Sequence, residues 1–247
     1  MKRFCFPLFI FCLFINVAIG QVRYGVQGSI QAATVTSTVN FTSFSPTLGT
    51  LTVPINQRVG FRAGLMADYP ITIRLSVRPQ LLYSVKGGNV DVGTFVANVL
   101  TRFSVISAPF RIDNPISKVI INYVELPVTV MCGLELGPGR LVVGAGPYAA
   151  VAVGGSINGE AINFNTGNFR KYDLGATGSL GYELPMGLTF SAYYTHGLTN
   201  FSKNSTPNLS SLNPTNPPAS LDPSAFGGTL QNRSFGVSVG YFLRSQN

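Results

Sequence analysis

Few residues in this chain carry the groups that catalysis or metal binding needs. His196 is the single histidine, acids number 9 against 17 lysines and arginines, and the three cysteines are Cys5, Cys12 and Cys132. A lipid-hydrolase type of site would have to be assembled around His196, beside Tyr193, Tyr194 and Thr195, with a nucleophile and an acid within hydrogen-bond reach on one outer surface. An interfacial or loop-packing histidine beside an aromatic belt accounts for the same residues. No Cys pattern has metal-ligand spacing. Gly144-Ala145-Gly146 precedes Pro147 within an alternating segment, which is the wrong setting for a phosphate loop. The expectation is therefore no catalytic residue, no metal and no cofactor.

The charges that do form a pattern are Arg23, Arg62, Arg74, Arg78, Glu125 and Asp173. Each falls on the polar side of a segment whose residues alternate apolar and polar. Strand side chains point alternately to opposite faces, so this period of two describes strands with one apolar and one polar face. Tyr24, Val26, Gly28, Ile30 and Ala32 oppose Arg23, Gly25, Gln27, Ser29 and Gln31. Val59, Phe61, Ala63 and Leu65 oppose Arg58, Gly60, Arg62 and Gly64. Ile71 to Leu81 sets aliphatics against Thr72, Arg74, Ser76, Arg78 and Gln80. Further segments start near Tyr123, Arg140, Tyr172, Leu188 and Asn232, which makes eight.

Composition says where the apolar faces go. Charged residues are 11% of the chain, well under the roughly 25% of an ordinary soluble domain, and the mean hydropathy is +0.28. Yet after residue 20 no apolar run approaches the ~18 residues of a membrane-spanning helix. A transmembrane β-barrel reconciles the two, because its lipid-facing residues are interleaved with inward ones. Connections at 68–70, 132–139 and 185–187 are short, whereas those at 33–57, 84–118, 154–171 and 199–231 are long. The predicted fold is all-β: an eight-stranded antiparallel up-and-down transmembrane β-barrel with short periplasmic turns and four long extracellular loops.

Lys2 and Arg3, the apolar stretch Phe4 to Ile15, and Ala18-Ile19-Gly20 before Gln21 have the layout of a secretory signal peptide. Residues 1–20 are read as the removed leader and 21–247 as the barrel domain. Cys132 alone would remain, which excludes a disulfide-stapled scaffold.

Several stretches resemble the outer-membrane β-barrel (porin-like) family of Gram-negative bacteria. They are Arg78-Pro79-Gln80-Leu81-Leu82-Tyr83-Ser84-Val85-Lys86-Gly87, Tyr123-Val124-Glu125-Leu126-Pro127, Gly144-Ala145-Gly146-Pro147-Tyr148, Tyr193 to Asn200, and Gly240-Tyr241-Phe242-Leu243. The resemblance implies residence in the outer membrane and delivery by the barrel-assembly machinery, which recognises an aromatic-rich last strand. Here Arg244 to Asn247 extend past that aromatic ending. The family offers no catalytic residues to carry over.

An eight-stranded barrel is just wide enough to be filled by side chains, so the six charges are expected to form an interior network, with Arg78 paired to Glu125. The function expected is an integral outer-membrane barrel, non-enzymatic, serving as a structural or surface-binding scaffold. A narrow channel for small solutes and a soluble small-ligand-binding barrel remain alternatives, since alternation gives two faces without saying which is inside. Expected partners are outer-membrane lipid and lipopolysaccharide, met by cations such as Lys86, Arg102, Arg111, Lys118, Arg170, Lys171 and Lys203. No basic stripe suits nucleic acid, and a monomer is expected.

Overall fold

The computed structural model describes residues 22–40, 50–91, 93–95, 97–98, 116–165, 169–200, 202–203 and 229–243. The expected leader and parts of all four long connections, including Arg102 and Arg111, lie outside them. Ten strands run in chain order: β1 (Arg23–Asn40), β2 (Thr50–Val53), β3 (Ile55–Pro70), β4 (Leu75–Asp91), β5 (Ile116–Leu136), β6 (Gly139–Ile157), β7 (Glu160–Ala161), β8 (Tyr172–Glu183), β9 (Leu188–Gly197) and β10 (Thr229–Phe242). Eight of them, all but the short β2 and β7, pair antiparallel with their chain neighbours. The ring closes where β1 meets β10, from Gly25 opposite Phe242 to Thr38 opposite Thr229. This is the expected eight-stranded up-and-down barrel.

The apolar faces point out. Tyr24, Val26, Ile30, Phe61, Leu65, Leu126, Val130, Leu174, Leu180, Val237 and Val239 are exposed, whereas Gln31, Arg62, Arg78, Glu125 and Asp173 are buried inside. A soluble ligand-binding barrel needs the opposite arrangement, so that alternative fails on the direction of the side chains. Exposed aromatics sit near both ends of the apolar band, with Tyr24, Tyr69, Phe190 and Tyr241 toward the short turns and Phe61, Tyr83, Tyr172, Tyr194 and Phe235 toward the long connections. Amphipathic rings collect at the two membrane–water boundaries in this way.

The strands are longer than their alternation suggested. In β1 the outward residues change from Tyr24, Val26 and Ile30 to Thr34, Thr36 and Thr38, while the inward ones change from Gln27 and Gln31 to Ala33 and Val35. In β5 the outward Leu126 and Val124 give way to Asn122 and Lys118 alternating with Ile120 and Ile116, and the inward Glu125 gives way to Tyr123, Ile121 and Val119. The strand continues while its two chemistries exchange sides. Water outside demands polar residues there, and an interior no longer flanked by charge closes on apolar ones. β5 has 21 residues; at ~3.3 Å each and a tilt near 45° it rises about 50 Å, roughly twice the height of an apolar band of about 25 Å. Residues 33–40, 50–53, 55–57, 84–91 and 116–118, expected in long connections, are therefore strand.

The short turns also move. β3 runs to Pro70, so the turn is Ile71–Arg74, closed by bonds from the Ile71 and Thr72 amides to the Leu75 carbonyl and capped by Thr72 Oγ1. Arg74 is consequently exposed on this turn, outside the barrel interior where the sequence reading put it. The turn expected at 132–139 shrinks to Gly137 and Pro138.

A closed, hydrogen-bonded ring resists detergent until heated. Protein extracted from outer membranes is expected to migrate anomalously in an unboiled denaturing gel and to shift on boiling; equal mobility in both lanes would contradict the ring.

Candidate functional site: the charged interior

Three layers of polar side chains cross the barrel. In the layer nearest the short turns, Asp68 from β3 and Glu183 from β8 face Arg23, Arg78 and Arg140. Arg23 bridges both carboxylates. Arg78 Nε donates to Asp68 Oδ1 at 3.1 Å, and Ser76 Oγ donates to the same oxygen at 2.8 Å. Arg140 Nη2 donates to Glu183 Oε2 at 3.0 Å. The inward Phe242 at the end of β10 fills the remaining space, its ring centroid 4.4 Å from the Arg23 guanidinium carbon and 4.9 Å from that of Arg78.

The middle layer is built on Glu125. Lys86 Nζ lies 2.6 Å from Oε1, and Arg62 Nε lies 3.3 Å from Oε2. These are ion pairs in close charge contact, each held by opposite charge within 3.3 Å. All three groups are almost wholly buried, so aromatic faces complete the environment. Lys86 sits 4.9 Å from the Tyr148 ring and 5.7 Å from that of Tyr123, and Arg62 sits 4.7 Å from that of Tyr193. Such cation–π contacts strengthen where water is excluded. Tyr193 in turn donates to Gln31 Oε1 at 3.1 Å, and Gln31 Nε2 to Ser84 Oγ at 2.9 Å.

In the upper layer Asp173 has no cationic partner among the described residues. Its oxygens accept from Thr199 Oγ1 at 2.8 Å, Asn232 Nδ2 at 2.9 Å and Tyr148 at 3.1 Å. Above it the interior turns apolar, with Val35, Val53, Val90, Val119, Ile121, Phe169 and Leu230 around Phe95 from a helical turn at 93–95. Glycines make room for the inward rings: a Cβ on Gly236 would lie 2.7 Å from Tyr193 Cζ, and one on Gly175 would lie 2.5 Å from Tyr148 Cε1.

Of the six charges singled out in the sequence, Arg23 and Arg78 enter the first layer, Arg62 and Glu125 the second and Asp173 the third, while Arg74 enters none. Arg78 does not pair with Glu125. Arg78 stands opposite Thr129 on β5, four residues along the strand from Glu125, which is about 13 Å at ~3.3 Å per residue. Asp68, Lys86, Arg140 and Glu183 were missed. Asp68 was read as a turn residue and Lys86 as a loop cation, yet the alternation begun at Arg62 and at Arg78 carries both inward. Glu183 shares its face with Asp173, and Arg140 shares its face with Val142. His196 is elsewhere, in line with the outward Tyr194, whose ring it stacks on at 6.3 Å.

The family described as outer membrane protein beta-barrel domain matches residues 16–203. The chain belongs to it. This outer-membrane β-barrel also overlays on the crystal structure of Neisserial surface protein A, with 12% identity over 88% of this chain and 96% of that one, and a TM-score of 0.43. It overlays on Ail, the attachment invasion locus protein of Yersinia pestis, solved with the heparin analogue sucrose octasulfate, with 11% identity over 91% of this chain and 100% of that one, and a TM-score of 0.37. No curated protein matches. The closed ring, its outward apolar band and the family match make this an integral protein of the bacterial outer membrane.

Glu125→Gln would leave Arg62 and Lys86 buried without their counter-charge. Breaking a buried ion pair from one side costs about 3–5 kcal/mol. The urea midpoint of the refolded variant is expected to fall accordingly, read by gel shift or circular dichroism because the chain has no tryptophan. A midpoint equal to wild type would remove Glu125 as the keystone of its layer.

Proposed function

We propose that this protein is a sealed, non-enzymatic scaffold of the outer membrane, monomeric, whose barrel holds the long extracellular connections in place for surface binding. The observation that carries this reading is the filled bore. Two ionic layers, a hydrogen-bonded carboxylate and an apolar cap succeed one another along it, and among the described residues the cavities lined by Arg78 and by Val35 admit about 30 and 20 Å³, the room of single waters. Water-filled passage in barrels of this type goes with about sixteen strands, not eight. The projecting upper half of β1 to β6 supports the same reading, since it places the ends of the connections beyond the lipid on a rigid stalk.

The lipid side fits an anionic outer leaflet. Lys118, Arg170 and Lys171 are exposed at the long-connection end, where lipopolysaccharide phosphates would meet them. Lys86, expected among these, is committed to Glu125 instead. His196 is taken up by the aromatic boundary, which supports no hydrolytic role for it. The outward Phe235, Val237, Val239 and Tyr241 of β10 suit capture of the last strand by the barrel-assembly machinery.

Purified, refolded protein in a planar bilayer is expected to give no stepwise conductance in symmetric salt. Reproducible unitary openings would replace the scaffold by a narrow channel.

A further inference from the structure

The layer nearest the short turns carries an odd charge. Three guanidiniums, Arg23, Arg78 and Arg140, face two carboxylates, Asp68 and Glu183, which leaves one positive charge in excess among these five groups, with the exposed Glu135 opposite Arg140 at the rim. Arg78 is the most enclosed of the three. Its side chain is 9% exposed, against 32% for Arg23 and 29% for Arg140. Its Nε is used on Asp68, but its Nη2 is buried, stands 3.6 Å from Glu183 and makes no hydrogen bond among the described residues. Burying a donor of a charged group without an acceptor costs more than a hydrogen bond returns.

Arg78 lines the interior cavity of about 30 Å³. The other polar groups around that cavity are Gln27, Gln80, Ser179, Thr189, Ser191 and Glu183, and the buried Met131 and Val142 supply an apolar part of its wall. Gln27 Nε2 donates to Gln80 Oε1 at 3.1 Å, which leaves the Gln80 –NH₂ as a donor. The hydroxyls of Ser179 and Thr189 are donors that can turn inward. Glu183 is the one anionic group in the lining, and its carboxylate is already engaged by Arg23 and by Arg140. The cavity therefore offers amide, hydroxyl and guanidinium donors in a space for one water or one ion of chloride's size.

We infer that this cavity is a binding site for a single monovalent anion of halide size, held by Arg78 Nη2 and the surrounding donors. A water molecule would satisfy Nη2 and leave the odd charge; a halide does both. Entry is from the short-turn end, past the partly exposed Arg23 and Arg140. The ion belongs to the folded barrel alone, so it stabilises that state by mass action.

The test uses the full refolded protein in detergent and compares chloride and bromide with gluconate, which is too large for the cavity, at equal ionic strength. At a halide concentration about tenfold above the dissociation constant, the melting temperature is expected to lie a few degrees higher in halide. Crystals grown from bromide are expected to show an anomalous peak between Arg78 and Ser179. Ser179→Val, which fills the cavity and changes no charge, is expected to abolish the halide dependence while keeping the heat-shifted gel mobility. Equal melting in gluconate and halide would overturn the site, because general screening is the same in both. Bromide crystals showing an ordered water only, without anomalous signal, would overturn the site even if Ser179→Val failed to fold.

Discussion

An unpaired backbone amide or carbonyl has no partner in hydrocarbon, and each one costs several kcal/mol. Every other feature of this molecule answers to that constraint. The seam between β1 and β10 runs for 14 residue pairs, so the first and last strands, separated by nearly the whole sequence, must meet before the sheet has no edges. Closure then fixes the bore, and an eight-strand bore admits side chains but little else. What fills it follows from what lipid outside excludes. Polar and charged residues, barred from the outer face, have only the interior, and there they must satisfy one another.

The interior meets that demand with groups of different reach. Arginines span the bore, Arg23 to two carboxylates and Arg62 to Glu125 from a neighbouring part of the ring. Tyrosines lie over facing glycines and present π-faces to Lys86 and Arg62. Buried ion pairs are weak evidence for stability, since well-packed apolar residues would often serve as well. A barrel whose interior were apolar as well as its exterior would have strands with no distinct faces, and a one-residue slip would then go unpunished. The charges are best understood as marking which face is inside.

That marking explains how much could be read from the sequence. Alternation located all eight ring strands and put Arg23, Arg62, Arg78, Glu125 and Asp173 on the inward face, because period two survives any tertiary context in a barrel. It failed where the solvent changes. Beyond Ala32 on β1 the outward residues become threonines, and beyond Val124 on β5 Asn122 and Lys118 interrupt the outward aliphatics, so a reading tuned to unbroken apolar-outward strands saw loops. Lys86, the cation closest to Glu125, sits two residues past Ser84 on the inward face of β4, beyond the end of that strand as read from the sequence. Arg74 failed differently: Asp68-Tyr69-Pro70 has the composition of a turn, but Asp68 is held inside by Arg23, Arg78 and Ser76, and that long-range demand carries the strand two residues past it.

The exchange of faces also separates two roles within one continuous sheet. Below it the barrel is a membrane protein, specified by lipid outside and charge within. Above it the same strands behave as a small soluble domain, with threonines, Asn122 and Lys118 outside and an apolar core around Phe95 within. A soluble core tolerates substitutions on its outer surface that lipid does not, because water solvates whatever is placed there. The lower half is thus constrained on both faces, and the upper half on one. Variation in this protein's surface chemistry can accumulate above the exchange, where the long connections leave the sheet, without touching the ionic layers of the bore.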